Sequence, residues 1–293
     1  MIKHMSDSQK KYKIAFFGTP ELCIPYLEKL QDTPFQPSLI VTNPDRPQGR
    51  KHSDLIAPPV KKWAQSHDIA CLQPESITPE WIDSLQEKGD WDLFIVIAYG
   101  KILAKTLINL PKNGTINVHY SLLPRWRGAT PVEAAILHGE ATTGVSIQKM
   151  RYMLDAGPVI SSASIELDNT ETSQGLREIL TTIGADLLLE TLPGYLAGKL
   201  KPILQNNAHI TTCTLIAKSD GEVNLSKMTD DELFRRYRAY TPWPGIFFFD
   251  KKNDNKRIKI SSARFENGTF ITESVIPEGK GEQDWETYTK KRA

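Results

Sequence analysis

The chain has 293 residues, 40% of them hydrophobic and 24% charged, enough apolar material for one large or two unequal domains. Lys+Arg 36 against Asp+Glu 35 leave a formal charge of +1, so there is no global basic field and any nucleic-acid partner must be held by local patches. Three dispersed cysteines without a CxxC pair argue against a disulfide framework or a structural zinc site, and no metal is expected.

In chain order, residues 1–12 read as a polar tail with no apolar signal-peptide core. Ile14 to Phe17 is a short apolar run closed by Gly18-Thr19-Pro20, and a helical pattern follows through Leu22, Tyr26, Leu27 and Leu30. This turn has a single glycine and places Glu21 at the helix start, so a dinucleotide cofactor is not expected. Ser38 to Thr42 is a second strand, Lys61 to Ser66 a helix, and Leu93 to Ala98 a strand apolar on both faces. Such a strand belongs in the middle of a parallel sheet. It is also the longest apolar stretch and far short of a membrane span, so no membrane partner is expected. Thr115 to Val118 gives another strand, Pro131 to His138 a helix, and Gln174 to Leu196 a long helix. Strands alternating with helices predict a doubly wound, Rossmann-like α/β domain over residues 13–198. Residues 199–208 are polar and aperiodic and read as a linker. Beyond it, Asp230 to Tyr240 reads as a helix and three short β-rich pieces predict a small β domain over 209–293. A cytoplasmic monomer is the expectation.

The chemistry concentrates in Asn117-Val118-His119-Tyr120-Ser121-Leu122-Leu123-Pro124. Strand alternation puts Asn117 and His119 on one face at a carboxyl end, where α/β folds hold their sites. An amide donor beside an imidazole suits acyl transfer: one stabilises an oxyanion, the other manages a proton. The same pair also fits a satisfied structural contact. Asp155, in the turn Leu154-Asp155-Ala156-Gly157, would favour the imidazolium if it reaches His119, and otherwise caps the turn. Arg46, Arg50 and Lys51, among Pro and Gly, read as a flexible basic finger suited to phosphates or as a plain solvated loop. The clusters Arg235, Arg236, Arg238 and Lys251, Lys252, Lys256, Arg257, Lys259 are further candidates for a nucleic-acid contact. Trp243, between two prolines, is expected as a core or interdomain plug rather than a stacking platform.

The ordered series Asn-x-His, Ser-Leu-Leu-Pro-x-x-Arg-Gly, Thr-Gly-Val and Leu-Asp-x-Gly resembles the formyltransferase family that uses 10-formyl-tetrahydrofolate. The likeness extends from Lys13 to about Gly281 and includes Asn43 to Arg50, Pro58 to Lys61, Ala98 to Leu103, Lys218 to Gly221 and Pro242 to Gly245. It implies a catalytic trio of Asn117, His119 and Asp155, and 10-formyl-tetrahydrofolate as co-substrate. It implies a folate pocket lined by Ile97, Tyr99, Gly100, Leu103, Ser121, Leu122, Leu123 and Pro124. Arg46, Arg50 and Lys51 would touch the acceptor end of a charged tRNA, with initiator methionyl-tRNA as the implied amine and an oligonucleotide-binding-like barrel as the tail. The alternative acceptor is a sugar-nucleotide amine. Three positions depart from the family pattern: Tyr120 stands where Pro or Gly is usual, Arg151 replaces an acid, and Met153 replaces a glycine.

Overall fold

The computed structural model describes residues 11–48, 54–252 and 254–290. By Cα proximity the chain divides into two compact units. The first gathers residues 1–124, 145–163 and 180–209, and the second residues 125–144, 164–179 and 210–293.

The first unit is built on the central sheet. Its strands include Ile14–Gly18, Leu39–Val41, Ala70–Leu72, Leu93–Ile97 and Thr115–His119. These five run in spatial order 115–119, 93–97, 14–18, 39–41, 70–72, each parallel to its neighbour. Two further strands, Thr142–Lys149 and then Val159–Glu166, extend the sheet beyond Thr115–His119 to seven. The doubly apolar Leu93–Ile97 is the fourth of the seven, where a strand buried on both faces has to lie. Thr142–Lys149 pairs antiparallel with Thr115–His119 and sets Ser146 opposite His119 and Gln148 opposite Asn117.

The fold of the first turn follows from packing. A Cβ on Gly18 would lie 2.8 Å from the Cys23 sulfur and 2.9 Å from the Ile97 carbonyl oxygen. Gly18 therefore serves close strand–helix contact, and its turn is structural. On one face Phe17, Phe94, Trp91, Tyr99, Leu103 and Leu107 form an apolar cluster, with Phe17 edge-on to Tyr99 at 5.5 Å between centroids. On the other, Tyr26 donates to Tyr120 Oη (3.1 Å), which meets Thr181 Oγ1 (2.7 Å). Gly184 makes room for the Tyr26 ring, since a Cβ there would stand 2.2 Å from its hydroxyl. The unusual Tyr120 is thus anchored by its hydroxyl in the layer beneath the sheet.

The second unit contains a four-stranded antiparallel sheet ordered Phe247–Asp250, Lys256–Glu266, Thr269–Pro277, Gln283–Asp284. Asn267-Gly268, both at positive φ (51° and 78°), forms the tight turn between its two long strands. The helix Asp230–Tyr240 opens with a reciprocal cap in which Thr229 Oγ1 accepts from Glu232 N (3.2 Å) and Glu232 Oε2 from Thr229 N (2.9 Å). It packs on Pro131–Leu137 and on Thr269–Pro277. Trp243, expected as a plug, is 53% exposed, because the turn after the helix leaves it outside the buried set. Among the described residues no helix is long and apolar enough to cross a membrane.

Candidate active site

The site forms at the carboxyl ends of Leu93–Ile97 and Thr115–His119. His119 is buried and Asn117 half-buried, side by side on one strand face as the alternation implies. Asp155 reaches them from the turn after Thr142–Lys149: its Oδ1 lies 3.7 Å from His119 Nδ1, and its side chain is 12% exposed. The three residues picked out as a trio therefore converge, although they come from two separate chain segments. Asn117 Nδ2 donates to the Val96 carbonyl (3.0 Å), which holds the carboxamide in the gap between the two strands.

The Ser121-Leu122-Leu123-Pro124 loop is fixed from the neighbouring strand. Ser146 Oγ donates to the Ser121 carbonyl (2.7 Å) and accepts from Leu123 N (3.1 Å). Ser121 itself is fully buried, while Leu122, Leu123 and Pro124 are half-buried. In the other proposed pocket segment, Ile97, Tyr99 and Leu103 point into the core, and burial pushes the Tyr99 phenol up to about 12. The surface this segment offers to a ligand comes from Ala98, Gly100 and Ile102. Gly100 has φ +79°, so a side chain there would be strained. The Tyr99 carbonyl accepts from Asn43 Nδ2 at 2.8 Å, just past the end of Leu39–Val41, two strands away.

Exposed apolar side chains lead into Asp155 and stand out from the segment after Leu93–Ile97. Tyr152, Met153 and Leu154, immediately before Asp155, are 67%, 70% and 71% exposed, and Ile102 is 86% exposed. Apolar rims beside a few convergent polar groups are what a flat, largely apolar ligand requires. One of these residues, Met153, is a position that departs from the family pattern.

Of the basic finger, Arg46 is exposed at the start of a small antiparallel hairpin, Arg46–Gln48 with Asp54–Ile56. Arg50 and Lys51 lie outside the described residues. The hairpin is rooted by Asp45, whose carboxylate accepts from Lys61 Nζ (2.7 and 2.9 Å) and from Gln73 Nε2 (2.7 Å). The Lys61 and Gln73 hydrogen bonds hold the Asp45 carboxyl below the usual range.

The arginine cluster in the second unit is engaged differently from expectation. Arg238 is 3% exposed, donates to the Glu171 carbonyl (3.2 Å) and sits over the Phe234 ring at 5.1 Å. Arg235 pairs with Asp231 at 2.9 Å, and Arg236 donates to the Asp220 carbonyl (3.0 Å). Arg257 lies 4.1 Å over Phe247. Packing turned these arginines toward partners the one-dimensional charge run could not reveal. Lys251 and Lys252 are exposed in the turn before Lys256–Glu266.

Two residues near the trio carried no signal in the reading of motifs. Gln148 Nε2 donates to Asp155 Oδ1 (2.8 Å) and to Asn117 Oδ1 (3.3 Å). Gln205 Nε2 donates to the carbonyls of Asp155 (2.8 Å) and Gly157 (2.6 Å). Gln148 would have emerged had Thr142–Lys149 been recognised as a strand beside Thr115–His119. Gln205 lies in the stretch read as a featureless linker.

Residues 12–192 match the model of the formyl transferase family, and residues 215–283 match the model of the formyl transferase C-terminal domain. The chain belongs to the formyl transferase family. A methionyl-tRNA formyltransferase of Geotalea uraniireducens is 40% identical over 269 residues, which is 92% of this chain and 84% of that protein. One from Myxococcus xanthus is 39% identical over 91% of this chain and 84% of its own length. Among solved structures, a methionyl-tRNA formyltransferase from Clostridium thermocellum superposes with a TM-score of 0.60 at 16% identity, over 92% of this chain and 100% of that one. A 4-N formyltransferase from Francisella tularensis reaches 0.65 at 18% identity over 89% and 96%. This formyl transferase therefore shares the fold of enzymes with different acceptors, while its sequence relatives at about 40% identity are methionyl-tRNA formyltransferases. The resemblance read from the motifs and the α/β class both stand, with the tail an antiparallel sheet.

Proposed function

We propose that this formyl transferase moves the formyl group of 10-formyl-tetrahydrofolate to the amino group of initiator methionyl-tRNA, as a cytoplasmic monomer. The observation that carries the reading is the convergence of Asn117, His119 and Asp155 in a chain 40% identical to a protein of that name. The residues present fit a folate: a half-buried amide and a buried imidazole stand with Asp155, whose turn carries the exposed apolar side chains of Tyr152, Met153 and Leu154. Residues 13–198 would carry the transfer and 209–293, joined through 199–208, would face the tRNA. The family models, which end at 192 and begin again at 215, support that division.

When bound, the folate supplies an electrophilic formyl carbon, to which the acceptor amine adds and from which N10 departs. Asn117 has one N–H committed to Val96 and presents the carboxamide nitrogen to the oxygen that gains charge. His119 stands beside it to hold or pass the proton lost by the amine, and Asp155 Oδ1 lies 3.7 Å from Nδ1, where it can orient the ring. Ile97, Tyr99 and Leu103 back this edge with a dry core, which strengthens each polar contact in front of it. Arg46, with Arg50 and Lys51, would meet the acceptor-end phosphates.

The test is direct. The purified chain is incubated with 10-formyl-tetrahydrofolate and either charged initiator tRNA or an amino-sugar nucleotide. Formyl-methionyl-tRNA is the expected product; transfer to the sugar alone would replace this acceptor with the alternative.

A further inference from the structure

Gln148 is 1% exposed, on the strand that pairs antiparallel with the one bearing Asn117 and His119. Its carboxamide is used at three points: Nε2 donates to Asp155 Oδ1 (2.8 Å) and Asn117 Oδ1 (3.3 Å), and Oε1 accepts from Gly157 N (3.2 Å). The network fixes the orientation of the amide. Reversed, Oε1 would face a carboxylate oxygen and a carbonyl oxygen, and Nε2 would face an N–H.

We propose that Gln148 is a positioning residue for formyl transfer, one buried amide that sets the donor face of Asn117 and the carboxylate of Asp155 together. This inference rests on the proposed function. Gln148 at Oδ1 and Val96 at one Nδ2 hydrogen fix which way the Asn117 carboxamide faces, and its second N–H is the donor it can offer an incoming oxygen. That is the polarity an oxyanion needs. Asp155 is the harder residue to place. It has φ +46°, a left-handed conformation that aspartate tolerates better than most residues, so what needs fixing is where its carboxylate points. Gln148 fixes that from the strand side, through the carboxylate and through Gly157 N. Gln205 holds the same turn from its other side through the carbonyls of Asp155 and Gly157. Gly157 has to be glycine for this closeness, since a Cβ would stand 1.9 Å from the Lys149 carbonyl oxygen. The oxygen that Gln148 grips, Oδ1, is the one 3.7 Å from His119 Nδ1. Gln148 thereby sets both the aspartate's distance from the imidazole and the face that Asn117 shows.

The experiment compares Gln148→Leu with Gln148→Glu. Leucine deletes the bonds; glutamate keeps the shape but sets a carboxylate oxygen against Asp155 and Asn117. A packing role predicts that glutamate is the milder change, and a positioning role predicts the reverse. The expected result is a kcat about tenfold lower for Gln148→Leu and about a hundredfold lower for Gln148→Glu, as small misplacements of reacting groups cost elsewhere. Tetrahydrofolate affinity, read by fluorescence titration, should stay near that of the native chain in both. Asp155→Asn combined with Gln148→Leu should lose less than the product of the single losses. Equal or opposite ranking, full multiplicativity, or parallel loss of kcat and folate binding would overturn the proposal.

The kinetic series uses whichever amine the native chain formylates, so failure with methionyl-tRNA alone overturns the acceptor and leaves Gln148 testable. A measurement on the ligand-free chain needs no acceptor and no Gln148 variant. The side-chain amide resonances of Gln148 should shift when Asp155 becomes Asn, with smaller shifts at Gln73. Unmoved Gln148 resonances would overturn the bridge itself.

Discussion

The two units use their polar residues in opposite ways. In the first, Asn117, His119, Gln148 and Asp155 come from two chain segments to one spot at the end of an apolar sheet. In the second, Arg235, Arg236 and Arg238 lie on one helix and are engaged by Asp231 of that helix and by the carbonyls of Asp220 and Glu171. A polar group buried for function has its partners arranged around a reacting point, whereas a charge used for structure is closed off by them. The contrast takes the buried Arg238 off the surface that could meet RNA, while Arg235 and Arg236 stay half-buried. The exposed lysines Lys251 and Lys252 are the better candidates.

The largest effect should come from the convergent region. Replacing His119 or Asn117 with Ala should lower kcat by ~10²–10³, the scale of a lost oxyanion donor, with little change in folate affinity. Steady-state kinetics and a tetrahydrofolate titration check it. Near-normal turnover in both variants would make this spot structural and erase the contrast.

Next in size is Arg238→Ala, which should cost about 2–3 kcal/mol by emptying a buried site and stripping the Glu171 carbonyl of its donor. A lower Tm should accompany unaltered folate affinity. A stable variant with weakened tRNA binding would return Arg238 to the RNA surface.

A smaller, salt-dependent effect is expected of Lys251→Glu with Lys252→Glu. For each tRNA phosphate that the variant no longer neutralises, the slope of log affinity against log salt should flatten by roughly 0.9 at duplex stems, without a change in Tm. An unchanged slope would remove these lysines from the interface.

The smallest effect concerns pH. Asp45 is held below the ordinary carboxylate range by Lys61 and Gln73, so its contribution to the hairpin is complete above that range. It is lost as pH falls through the lowered folded value, when the carboxylate takes up a proton. Lys61→Met should abolish this acid-dependent step in amide exchange around Arg46. Persistence of the step in the variant would assign it to another group.

Much of this was legible in the sequence. The Leu93–Ile97 strand identified itself as central, since only a strand covered on both sides can be apolar at every position. The helix Asp230–Tyr240 was read with the bounds it has, and the structure adds the Thr229–Glu232 cap that starts it there. Thr142–Lys149 was not seen: its Ser146 and Gln148 are polar yet buried, and a buried polar residue looks like a surface one until its partner is known. In the segment expected to line a folate pocket, the side chains of Ile97, Tyr99 and Leu103 turned out to lie in the core.

The sequence by itself determined the fold class, the family and the residue types of the site, because hydrophobic period and motif spacing are local properties written along one chain. Tertiary structure alone decided which arginines are buried, where Tyr120 places its hydroxyl, and that Gln148 and Gln205 close around Asp155. Those outcomes depend on hydrogen bonds and packing between residues that folding brings together, and the direction of a buried amide is fixed only when all its partners are in place.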